Sequence, residues 1–102
     1  MSIDNKLILE NSKKLNVLYI EDDNFLRHTT LKLLLNFFNS VDESIDGRDG
    51  LEKYNSYYED TNSYYDIVIS DINMPNLDGI DMVEEVKSIN SQQVVIFITA
   101  FD

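Results

Sequence analysis

Short, largely apolar runs of β-forming residues recur along this chain, and segments with helical periodicity lie between them. "NVLYI" (16–20) and "VVIFIT" (94–99) are short apolar runs rich in β-formers, and "DIVIS" (66–70) is too continuously apolar for a strand that wets one face. "DIVIS" in particular reads as a central strand covered on both sides. Alternation of such strands with helices of ten residues or so specifies βαβ units, a mainly parallel sheet and right-handed crossovers.

The first helix is expected from Phe25 to Phe38, capped by Asp23 or Asn24. Leu26, Leu33, Leu34 and Phe37 would face the sheet, with Arg27, His28 and Lys32 on the remainder. A weaker strand, Ser40 to Asp46, precedes "GRDG" and a helix from about Leu51 to Tyr58. A third helix runs from Gly79 to about Ile89, with Asp78 as its cap and Met82, Val83, Val86 and Ile89 inward. The last strand, Val94 to Thr99, is expected to be buried. The resulting order is β-α-β-α-β-α-β.

At 102 residues there is room for one domain, and an apolar fraction of 43% is enough for a modest core. A formal charge of −11 excludes nucleic acid and anionic membrane surfaces as natural partners, since no basic stripe offsets the repulsion. Absence of cysteine removes thiolate chemistry and fits a reducing compartment. No apolar run approaches the roughly 20 residues of a bilayer span, and residues 1–15 form a polar lead-in without a secretory signal. The expected location is the cytoplasm.

In open parallel sheets, ligands bind beyond the carboxyl ends of the strands where strand order reverses, between strands one and three in the flavodoxin-like order. Strand one exits into Glu21, Asp22 and Asp23, and strand three into Asp71. Carboxylates gathered in one crevice need a neutralising cation, and Mg²⁺ suits a site of hard oxygens that a phosphate can complete. A phosphate-binding loop would instead place Gly, Ser or Thr after strand one. His28 belongs to the polar side of the first helix, and Tyr54, Tyr57, Tyr58, Tyr64 and Tyr65 read as packing around the second.

"VLYIEDDNFLR", "DIVISDINMPNLDGI" and "VVIFITA" together resemble the three signature segments of the response-regulator receiver domain of two-component signalling. The resemblance covers about Asn16 to Phe101, within a receiver unit placed at 16–102. It implies a three-layer α/β/α fold with sheet order 2-1-3-4, and an Mg²⁺-dependent transfer of a phosphoryl group from a sensor histidine kinase or phosphotransfer protein. It makes Asp71 the phosphoacceptor, Asp22 the direct metal ligand, Glu21 a neighbour acting through water, and Asn73 a backbone-carbonyl ligand. Thr99 matches the hydroxyl residue that bonds a phosphoryl oxygen, and Ala100 the small residue beside it. Such a module is a regulatory phosphoacceptor and not an enzyme, passing its signal to an output domain or downstream protein.

The family continues with a helix, a fifth strand ending in a lysine, and a final helix, whereas this sequence stops soon after strand four. The receiver unit at 16–102 is therefore expected to be C-terminally incomplete, and its apolar fourth strand to form an exposed edge through which it makes a homodimer. The competing function is a receiver-like interaction module without phosphotransfer. An aspartyl-phosphate hydrolase is disfavoured, because Asn73 stands where its second aspartate would be.

Overall fold

The computed structural model describes residues 11–72 and 79–98. Strands β1 (Asn16–Ile20), β2 (Ser40–Ser44), β3 (Ile67–Asp71) and β4 (Val94–Ile98) alternate with helices α1 (Asn24–Leu34), α2 (Gly47–Thr61) and α3 (Gly79–Ile89). All pairings are parallel and the sheet order is β2-β1-β3-β4. This is the flavodoxin-like arrangement the sequence predicts.

Alternate strand residues feed two cores. Leu18, Ile20 and Val68 pack with Tyr54 and Tyr65 and with Met82 and Val86 of α3, while Val17, Tyr19 and Ile69 meet Leu34 and Phe38 on the α1 side. One face of the sheet therefore carries α2 and α3, the other α1. Both faces of β1 and β3 are covered, which is what their unbroken apolar sequences demand.

Helix α1 ends four residues earlier than its leucines suggest. Bonds of the i→i+3 kind, from Asn36 N–H to Leu33 O (3.1 Å) and from Phe37 N–H to Leu34 O (2.9 Å), tighten the exit. Phe38 is thereby turned inward, and Asn39 N–H reaches back to Leu15 O at 2.9 Å. The buried stripe is also displaced by one residue from expectation: Leu33 and Phe37 are exposed, and Arg27 is buried. Arg27 and Leu34 are seven residues apart, two helical turns, and so share the sheet-facing side.

Helix α2 starts upstream of the predicted Leu51, because Asp46 caps it and Asp49 reaches back to the residue before the cap. The Asp46 carboxylate accepts from Asp49 N–H at 2.8 Å, and that of Asp49 accepts from Ile45 N–H at 3.1 Å. Gly50 inside the helix permits close approach to the sheet, since a Cβ there would lie 2.7 Å from Ile20 Cδ1. The helix closes on Asn62 in the left-handed region, φ 59°. The tyrosines stack at its exit, Tyr57 on Tyr65 at 3.9 Å between ring centres and Tyr58 on Tyr64 at 4.3 Å.

On the far side, Ile89 at the end of α3 is exposed where its spacing predicts an inward residue. Strand β4 is the edge strand expected of the chain's fourth strand, with Val94, Ile96 and Phe97 exposed and Val95 and Ile98 packed against the two cores, so it is less buried than its composition alone suggests. No helix among the described residues is long and apolar enough to cross a membrane.

Candidate functional site: a carboxylate crevice

The register that aligns Ile20 with Ser70 brings the next residues of β1 and β3, Glu21 and Asp71, to the same end of the sheet. One carboxylate oxygen from each of Glu21, Asp22 and Asp71 lies within 4.8 Å of the other two. Parallel strands produce this convergence, since both chains leave the sheet in the same direction. Asp71 ends β3 half-buried, Asp22 is exposed on the turn, and Glu21 is buried at 3% exposure. His28 is exposed on α1.

The turn after β1 is held by its own polar groups. Glu21 N–H donates to Ser44 O at 3.0 Å, and its carboxylate accepts from Asp23 N–H at 3.2 Å. Asp23 is the N-cap of α1, accepting from Leu26 N–H at 2.8 Å. Of the three successive acids, Asp23 is thus occupied in starting a helix. On β3, the Ser70 hydroxyl donates to the Asp71 carbonyl at 2.8 Å, and Gly79 N–H donates to Ile72 O at 2.9 Å, tying the start of α3 to the strand exit. Asn73, Asp78, Thr99 and Ala100 lie outside the described residues.

Burial, with Asp22 and Asp71 adding repulsion against the opposing hydrogen bond from Asp23 N–H, pushes the Glu21 carboxyl up to about 7. A raised carboxyl means that the folded chain binds the extra proton between the ordinary value of 4.5 and about 7. The stability associated with it is fully present below that window and declines as pH rises through it. Wild-type melting temperature is expected to fall across the window relative to Glu21→Gln. Parallel melting curves for the two proteins would contradict this electrostatic account.

Three carboxylates sharing one crevice form a hard-oxygen donor set suited to a divalent cation. In an octahedron with bonds of about 2.0–2.1 Å, neighbouring oxygens stand about 2.9 Å apart and opposed ones about 4.2 Å, and three ligands include at most one opposed pair. Oxygens within 4.8 Å of one another therefore suit a cation held by some of these carboxylates directly and by the others through water. A cavity of about 450 Å³ beside β2, lined in part by Asp42, Lys53, Tyr57 and Asp60, shares no residue with this crevice.

Parallel order 2-1-3-4, with acids at the exits of the two central strands, defines a doubly wound α/β protein with its site at the topological switch point. The response regulator receiver domain family matches residues 17–102, and the chain belongs to that family. It is 35% identical over 89 residues to the sensor protein EvgS of Escherichia coli, covering 86% of this chain and 7% of that protein. It is 31% identical over 87 residues to the response regulator ArlR of Staphylococcus aureus, covering 84% of this chain and 36% of the relative. The chain thus spans a minor part of either relative. Among solved structures, the N-terminal domain of a Wolinella succinogenes protein superposes with a TM-score of 0.74 at 31% identity, over 86% of this chain and 66% of that one. A chain of the CheX–CheY–BeF3–Mg²⁺ complex of Borrelia burgdorferi superposes with a TM-score of 0.71 at 30% identity, over 90% and 66% respectively.

Sequence reasoning passed over Arg27 as a surface residue. Its place on the Leu34 side of the helical wheel was the available signal.

Proposed function

We propose that this chain is a phosphoryl-accepting module of a two-component relay, in which Asp71 receives the group. The observation that supports it most strongly is the meeting of Glu21, Asp22 and Asp71 at the exits of β1 and β3. An Asp71 carboxylate oxygen attacks the phosphorus of a phosphohistidine on a sensor kinase or phosphotransfer protein. The O–P bond forms as the P–N bond breaks, and the bonding pair stays on the imidazole nitrogen. Asp71 becomes a mixed anhydride.

Asp22 would hold Mg²⁺ directly and Glu21 through water, and the family resemblance makes the Asn73 carbonyl a further ligand. When bound, the cation supplies the positive charge that offsets the phosphoryl oxygens. The similar Borrelia complex contains BeF3 and Mg²⁺, which supports a divalent cation as the ligand of this site. Thr99, with the small Ala100 beside it, bonds the new oxygens and biases a two-state surface for an output domain or downstream protein. The role is regulatory and not enzymatic, the compartment is the cytoplasm, and residues 16–102, after a lead-in of fifteen residues, belong to the receiver unit. Formation of a labile adduct from an acyl phosphate, lost in Asp71→Asn, tests this reading.

The exposed Val94, Ile96 and Phe97 on the edge strand β4 support pairing with a second copy of the chain. Sedimentation is expected to show a dimer whose population falls on Phe97→Lys. A wild-type monomer at high concentration would contradict it.

A further inference from the structure

Arg27 is 5% exposed, and each face of its guanidinium fork has a partner. Nη1 donates to the Glu21 carbonyl at 2.9 Å, Nη2 to Asn24 Oδ1 at 2.7 Å, and Nε to Glu43 Oε1 on β2 at 3.3 Å. A buried cation needs such pairing, but the choice of partners is specific. Two of the three lie in the turn that carries Asp22, and the third anchors the fork to β2, which is itself fixed in register against β1.

The Glu21 carbonyl belongs to the same planar peptide unit as the Asp22 N–H, and the two point in opposite directions. Fixing the carbonyl on Arg27 therefore fixes the plane from which Asp22 projects. With Glu21 N–H held by Ser44 O, both peptide groups of Glu21 are anchored, one on each side. The fork of an arginine can do this where the single ammonium of a lysine cannot, because it binds the carbonyl, the amide and the carboxylate together in one plane.

We propose that Arg27 is the positioning residue of the ion site: it sets the β1–α1 turn so that Asp22 and Glu21 face Asp71 before a cation arrives. This rests on the assignment of the three carboxylates to a divalent cation. Coulomb's law alone has a buried positive charge near a cation site repel the ion, so a variant that keeps the charge should bind Mg²⁺ as well as the wild type does. Weakened binding in such a variant therefore reports positioning and not charge.

The test is Mg²⁺ affinity by calorimetry on the full chain, for the wild type, Arg27→Lys, Asn24→Ala and a core truncation, Val86→Ala. Arg27→Lys keeps the charge and loses the fork, and is expected to weaken Mg²⁺ binding about tenfold or more. Asn24→Ala removes a neutral, exposed partner and is expected to weaken it by a smaller factor in the same direction, which decides the matter should Arg27→Lys fail to fold. Val86→Ala lowers the melting temperature with unchanged affinity, as a merely structural loss would. Unchanged or tighter binding in both site variants overturns the role of Arg27 and leaves the ion site standing. A wild type that binds no Mg²⁺ overturns the ion site itself, and Arg27's role with it.

Discussion

Incubation with Mg²⁺ and a small acyl phosphate is expected to add one labile phosphoryl group to the chain, visible by intact mass, and Asp71→Asn to abolish it completely. The amide cannot act as the attacking oxyanion, so no residual rate through that position is expected. Asp22→Asn keeps the acceptor and removes the one carboxylate charge that the turn would place in direct contact with the cation. Its phosphorylation rate should fall on the order of a hundredfold, in line with the loss of one preorganised electrostatic group. An adduct that survives in Asp71→Asn would move the acceptor elsewhere among the acids of this very acidic surface.

The second large effect is on the backbone behind the acceptor. A Cβ at Gly79 would stand 2.2 Å from the Asp71 carbonyl oxygen and 3.0 Å from Ile72 Cα. Both are main-chain atoms of the strand exit and cannot rotate away. Gly79→Ala is expected to lose about 3 kcal/mol in urea unfolding, by overpacking against a fixed neighbour. It should also displace Asp71 from Glu21 and Asp22, so that phosphorylation slows in the fraction that folds. Gly50→Ala provides the contrast, because its nearest neighbour is Ile20 Cδ1, the far end of a flexible side chain. That variant should cost about 1 kcal/mol, within the range of a small repacking. A Gly79→Ala protein as stable as Gly50→Ala would contradict the close approach of α3 to the end of β3.

The sheet and the acids were legible in the sequence for one reason. Each central strand is apolar up to its last residue or two and then meets a carboxylate, so strand ends and candidate ligands coincide at Glu21 and Asp71. Parallel topology then places those ends together without any further information. Arg27 was not legible in the same way, because a guanidinium counts as polar surface until its partners are known. Only the chain's return along β2 brings Glu43 beside it. The start of α2 was obscured by Gly47 and Gly50, which weaken helix propensity locally. The Asp46 cap, the reach of Asp49 back to Ile45 and the contact of Gly50 with Ile20 override that propensity. Composition likewise overstated the burial of β4, since an apolar strand is buried only as far as neighbours cover it, and here β3 lies on one side only. Asn73, Thr99 and Ala100 carry their assigned roles from family resemblance alone.

The central claim is that folding gathers Glu21, Asp22 and Asp71 into one cation site. Titration of the isotopically labelled chain with Mg²⁺, followed by amide NMR, tests it most directly. Saturable shifts centred on residues 21, 22 and 71, absent in Asp22→Asn, are the predicted result. A spectrum indifferent to Mg²⁺ at these positions, or shifts spread evenly over the acidic surface, would contradict it.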